Sequence, residues 1–200
     1  MYNLEAHMHG SSYWEGQKMG DYFQIIVDKD ATEKDAPVLG SSIRDWLILE
    51  GIIGREMKDN VLGSDLGYPP GPNYGKAVDE EIDNLQELWT NGLDIIAKRT
   101  VFNSMPGGVE LVCAGCGLRF EPPDEWSEAI SEWYDQRGPG NLGCPGCNGV
   151  RPITEWQHEP PWGFGYLGFQ FWNWPPLKES FIEEVSRRLG HRVVYVEGKL

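Results

Sequence analysis

Positive charge is scarce in this chain. Across 200 residues, 17 Lys and Arg stand against 31 Asp and Glu, a formal charge of −14. A surface of that sign repels nucleic acid and anionic membrane. The imbalance holds locally: between residues 110 and 160, Arg119, Arg137 and Arg151 oppose nine carboxylates. Direct nucleic-acid binding is therefore not expected, since a working face for phosphate should be basic. No apolar run approaches the length of a membrane span. The first residues, Met1 to His7, show no basic stretch followed by an apolar one, so no secretory signal is expected and the cytoplasm is the default compartment. The phosphate-binding glycine loop, the dinucleotide-binding Gly-x-Gly-x-x-Gly and the Gly-x-Ser-x-Gly elbow are all missing. Histidine is rare too. His7 and His9 form an HxH pair that reads as chance, and His158 lies beside Glu155 and Glu159, where a general base is conceivable but no nucleophile accompanies it.

Cysteine is equally sparse, but all four residues fall into two pairs. The first reads Cys113-Ala-Gly-Cys116-Gly and the second Cys144-Pro-Gly-Cys147-Asn. Gly115 and Gly146 occupy the same slot, while Gly117 and Asn148 follow the second cysteine, and both residue types tolerate a left-handed backbone. Such turns aim backbone N–H groups at thiolate sulfur. Two of them supply the ligands for one structural Zn²⁺ held by Cys113, Cys116, Cys144 and Cys147. Two disulfides and dithiol redox chemistry are the competing readings. Nothing points to an oxidising compartment, and a redox pair should open a helix after a buried strand, whereas glycines and prolines surround these pairs. The paired layout resembles the zinc-ribbon class of modules over residues 108–153. The segment between the knuckles exceeds the roughly 15–20 residues usual for that arrangement. It predicts an inserted helix, Asp124 to Tyr134, with Trp126, Ile130, Trp133 and Tyr134 on one face.

Around this module the pattern predicts an α+β fold. The expectation is a mixed sheet with packed helices, into which the embellished four-cysteine ribbon is inserted. Residues 1–20 are read as a loose terminus, and 21–107 as an N-terminal α/β part. Residues 108–153 form the ribbon, and 154–200 a strand–helix–strand part sharing the core of 21–107. Tyr22–Val27 reads as a buried strand. A helix from Ala36 to Glu50 follows, capped by Asp35, with Pro37 in its first turn and Gly51 beyond it. Residues 54–76, with Pro69-Pro70-Gly71-Pro72, form a rigid loop that reads as a connector or a recognition loop. Acidic Asp79, Glu80 and Glu81 predict a helix start, and Val78, Ile82, Leu85, Leu88 and Trp89 its apolar stripe. Leu93–Phe102 and Val109–Val112 predict strands, with residues 105–108 turning between them and Val150–Trp156 pairing back on the second. The rings from Trp156 to Trp174 occur on both faces around Gln170, as in a covered central strand. After Pro175-Pro176, Leu177, Phe181, Ile182, Val185 and Leu189 recur at helical spacing up to Gly190, and His191–Val196 is the last strand. If the strands flanking this helix pair directly in parallel, the crossover must be right-handed.

No catalytic residue is assigned. The leading functional reading is a zinc-stabilised protein–protein interaction protein with a basic partner. Its more specific form is an immunity or inhibitor protein that neutralises a basic toxin such as a nuclease, to which small acidic Trp-rich chains bear a general likeness. The expected surface combines Trp156 and Trp162 as anchors with Glu128 and Glu132 of the inter-knuckle helix as steering charges. A zinc-ribbon accessory factor in transcription or nucleic-acid processing is the alternative, and a hydrolase using His158 and nearby carboxylates the third.

Overall fold

The computed structural model describes residues 20–104 and 107–200; the HxH pair, nearly all of the expected loose terminus, and Met105-Pro106 of the expected turn lie outside them. In chain order the elements are β1 (Tyr22–Asp28), α1 (Ala36–Leu49), β2 (Leu93–Ile96), β3 (Thr100–Phe102), β4 (Glu110–Val112), β5 (Arg119–Phe120), α2 (Trp126–Tyr134), β6 (Asn141–Gly143), β7 (Val150–Pro152), β8 (Gln157–Glu159), β9 (Gly163–Gly165), β10 (Leu167–Trp172), α3 (Glu179–Leu189) and β11 (Val193–Lys199). This is the α+β class that the pattern predicts.

The body is a four-stranded sheet in the order β11-β1-β10-β2, every neighbouring pair antiparallel. β1 and β10 lie at its centre, which is why their sequences are apolar on both faces. Ile26, Phe169 and Phe171 face α1 and α3, where they meet Ile43, Leu47, Phe181 and Val185. Phe23, Ile25, Val27 and Trp172 face the other way onto Phe102 and Val61. β10 and β11 flank β1 and, being antiparallel to it, run parallel to each other without touching. The final strand–helix–strand unit is therefore split by the first strand of the chain.

One buried amide fixes this unit. Gln24 of β1 donates through Nε2 to the carbonyls of Trp174 and Pro175 (2.9 and 3.1 Å). Its Oε1 accepts from the Leu177 N–H at 2.8 Å and the Tyr195 hydroxyl at 2.6 Å. A fully satisfied polar group in a core specifies one arrangement, because any other leaves it unpaired. α3 starts just beyond and stops at Gly190, whose φ of +70° is left-handed. α1 stops at Gly51 in the same conformation, also at +70°. Asp35 does not cap α1 as expected; its carboxylate instead accepts from the Thr32 N–H at 2.6 Å, turning back on the preceding loop.

Three expectations fail here. Residues 78–91 are not an α-helix but irregular chain of bends and turns with one short 3₁₀ turn, Leu85–Glu87. Val78 bridges Leu177, Asn84 takes a left-handed φ of +66°, and the Tyr74 hydroxyl bonds both the N–H and the carbonyl of Ile82. These tertiary bonds replace the intrahelical ladder, and Trp89 is left 73% exposed. Residues 93–102 are two strands, because the chain leaves the body sheet after Ile96 and β3 pairs with β9 in a separate ribbon. Finally, Val150–Pro152 pairs not with β4 but with β6, and the strand beside β4 is β8. Each knuckle closes its own hairpin, so the chain following the second one must travel further before it reaches the first.

Candidate metal centre

The hairpins β4–β5 and β6–β7 carry Cys113 to Cys116 and Cys144 to Cys147 at their tips. Their turns match bond for bond. The Cys113 N–H donates to the Leu118 carbonyl and the Gly117 N–H to the Cys113 carbonyl, at 2.9 and 2.8 Å. In the second turn the Cys144 N–H reaches Gly149 and the Asn148 N–H reaches Cys144, at 3.0 and 2.9 Å. Gly117 and Asn148 hold the left-handed positions, with φ of +72° and +56°. Gly115 and Gly146 instead sit close beneath neighbouring side-chain ends, which a larger residue would have to displace. A Cβ on Gly115 would come within 3.0 Å of the Arg151 guanidinium, and one on Gly146 within 2.8 Å of the Leu118 side chain.

The two tips bring all four sulfurs within 4.8 Å of one another. Cys113 Sγ lies 3.8 Å from Cys147 Sγ, and Cys116 Sγ 3.6 Å from Cys144 Sγ. These separations leave four free thiols and no disulfide. They match the edge of a sulfur tetrahedron, about 3.8 Å for metal–sulfur bonds of about 2.3 Å. The Gly115 and Gly146 N–H groups each donate to the first sulfur of their knuckle at 3.4 Å. Cys113 and Cys144 are buried against Leu111 and Trp156, while Cys116 and Cys147 face outward. At Cys113, burial opposes ionisation, but the Gly115 and Cys116 N–H groups and the neighbouring thiols outweigh it and hold the thiol down at about 6. At Cys116 the Leu118 N–H favours the thiolate, yet desolvation and the other three thiols push it up to about 11. The sulfurs compete for negative charge, and a bound cation relieves that competition. The donor set fits a four-coordinate metal ion.

α2 crosses between the knuckles and joins the module to the body. Trp133 packs edge-on against Phe164, with ring centroids 5.2 Å apart. Arg99, at the turn between β2 and β3, lies 4.0 Å over the Trp133 ring and 5.1 Å from that of Tyr166. Its Nε donates to the Trp133 carbonyl at 2.7 Å, and its Nη1 bonds the Tyr166 hydroxyl. The sequence reading missed Arg99, because a lone arginine after a strand carries no local signal.

The expected partner surface is divided by the fold. Trp156 is 4% exposed and lies edge-on to Phe120 at 5.6 Å, within the module's own core. Trp162 is half-buried, 5.1 Å from Trp126, and forms a wall of a cleft of about 760 Å³ shared with His158, Pro160, Pro161, Glu155 and Lys29. Glu128 is exposed on α2 and paired with Arg137 at 2.9 Å; Glu132 is half-buried against Gly138. His158, the candidate base, is 3% exposed and stacked on Trp162 at 5.8 Å. Neither of its ring nitrogens has a hydrogen-bond partner of good geometry among the described residues. Burial pushes its pKa down to about 4, with the Lys29 charge adding to the effect. Its neighbour Glu159 is engaged by Arg119. Among the described residues no helix is long and apolar enough to cross a membrane. No family model, curated protein or solved structure matches the chain.

Proposed function

We propose that this protein is a zinc-stabilised, acidic interaction module whose partner is a basic protein. The observation that carries the metal part is the set of four thiols gathered within 4.8 Å, two pairs of them at the edge length of a sulfur tetrahedron. Zn²⁺ favours this geometry with sulfur donors, and four protein ligands leave no position open for water or substrate. When bound, the ion cross-links the two hairpins and contributes folding energy. Among the described residues neither ring nitrogen of His158 is hydrogen-bonded to a hydroxyl or thiol. The formal charge of −14 supports the choice of partner. In a more specific form, the protein acts as an immunity or inhibitor protein: a toxin such as a nuclease, built to hold phosphate, presents a surface complementary to clustered carboxylates. Trp162 on the cleft wall supplies the anchor, with the edge of Trp156 behind it, while Glu128 and Glu132 on α2 steer the encounter from the rim.

Affinity purification from native extract, followed by binding kinetics on the captured partner, tests this reading. The partner should be basic. Trp162→Ala should mainly speed dissociation, costing about 2 kcal/mol if the ring is an anchor. Charge reversal at Glu128 and Glu132 should mainly slow association, and added salt should shrink that effect. Melting temperatures measured alongside separate lost binding from lost folding. An acidic partner, or unchanged rates in both variants, would refute the proposal.

A further inference from the structure

The two edges of the body sheet are finished differently. At β2, the Leu93 N–H and carbonyl both bond Tyr68, at 2.8 and 2.9 Å, and the Asn91 and Gly92 N–H groups reach the Asn60 carbonyl at 3.0 and 2.8 Å. The 54–76 loop thus covers that edge. Among the described residues β11 has no such cover. Its ladder to β1 is bracketed by the bonds Lys29 N–H to Arg192 carbonyl (3.0 Å) and Leu200 N–H to Asp21 carbonyl (2.8 Å). In an antiparallel ladder, backbone groups alternate between the partner strand and the outside. In this register Val194, Val196 and Gly198 therefore bond β1, and Val193, Tyr195, Glu197 and Lys199 face outward. Among the described residues the outward N–H and carbonyl groups of these four have no hydrogen-bond partner. The strand is seven residues long, rich in β-branched and aromatic side chains, and has no proline. Edges left in this state are templates for another strand.

We propose that β11 pairs with β11 of a second copy of this chain, antiparallel about a two-fold axis through Val196, so that two four-stranded sheets become one continuous sheet. The same edge on each chain offers the same free groups, as a self-complementary interface requires. In this register Val193 faces the partner subunit's Lys199 and Tyr195 faces the partner subunit's Glu197. Every outward group of the strand is used and no carboxylate lies directly opposite another. A shift of one residue in the axis, to Glu197, sets the two Glu197 carboxylates against each other, which is unfavourable. The charges flanking the strand are largely paired within their own chain, Arg187 and Arg188 with Glu184 and Arg192 with Asp30, so no concentrated charge of one sign faces its copy across the axis.

Sedimentation of the full metal-loaded chain over a range of concentrations tests the pairing. A monomer–dimer equilibrium is expected. Glu197→Pro deletes an outward N–H that the monomer does not use and should weaken the dimer by about tenfold or more. Glu197→Ala keeps the N–H and should leave the dimer in place. If the proline variant loses its fold, as melting would show, hydrogen exchange on the unaltered protein decides. The amides of Val193, Tyr195, Glu197 and Lys199 should gain protection as concentration rises, while those of Val194 and Val196 stay protected throughout. A chain that remains monomeric with concentration-independent exchange overturns the proposal, even if a strand of a different protein binds the edge. A dimer indifferent to the proline overturns it as well.

Discussion

Lowering the pH from 7 to 5 should destabilise this protein through His158. Its ring is enclosed by Trp162 and Phe164, and the nearby Lys29 charge opposes a second positive charge. Burial holds its pKa at about 4, against about 6.5 for the free side chain. The folded state therefore binds the proton less readily than the unfolded chain. Stability is intact above about pH 6.5, falls as the unfolded chain takes up the proton, and stops falling below about pH 4, where both states are protonated. The full difference of about 2.5 units corresponds to roughly 3 kcal/mol, and the part lost between pH 7 and pH 5 to about 2 kcal/mol. His158→Phe keeps a ring between the same neighbours and removes the titration. Urea unfolding of both proteins at pH 7 and pH 5, with metal in excess, isolates the effect, because acid release of the metal and the titration of His191 are common to the two. The variant should lose about 2 kcal/mol less than the parent. Parallel losses, or a His158 proton resonance titrating near 6.5 in the folded protein, would show that the ring is hydrated and the reasoning wrong.

Two further outcomes follow from the module. Elemental analysis should find one zinc per chain, and a chelator should melt residues 110–159 before the body sheet, with Cys116→Ser doing the same; metal-free protein of unchanged stability would contradict the site. Arg99→Ala removes the guanidinium between Trp133 and Tyr166 and should cost about 1–3 kcal/mol, read as faster hydrogen exchange in α2 with the β1–β10 ladder unaffected.

What the sequence made legible was local. The knuckles could be read because their spacing and their turn-permissive Gly117 and Asn148 are written within a few residues. α1 and α3 could be read because a periodic apolar stripe ends at a left-handed glycine in both. β10 could be placed as a covered strand from rings on both faces. Where the reading failed, partners remote in sequence decide. The acidic start at Asp79 looks helical until Tyr74 claims both backbone groups of Ile82 and Leu177 bridges Val78. Trp156 and Trp89 are indistinguishable as letters, yet one is enclosed by Phe120 and Cys113 while the other stands in solvent, because only the module's hairpins gather a core around theirs. His158 had no legible signal of burial, since its enclosure depends on how β8 lies beside β4.

The split arrangement of the last unit governs how the chain must assemble as it is made. β1, nearly all apolar, emerges early, yet both of its neighbours, β10 and β11, lie in the final stretch of the described sequence. Contacts so distant along the chain form slowly, because the loop they close must be ordered before they contribute. During synthesis Tyr22–Asp28 therefore waits as an unpaired, sticky strand while the hairpins of residues 110–159 can already close. The nascent protein thus has an early, compact middle and a late-forming centre, and its vulnerable interval runs from the emergence of β1 to the docking of β10 and β11.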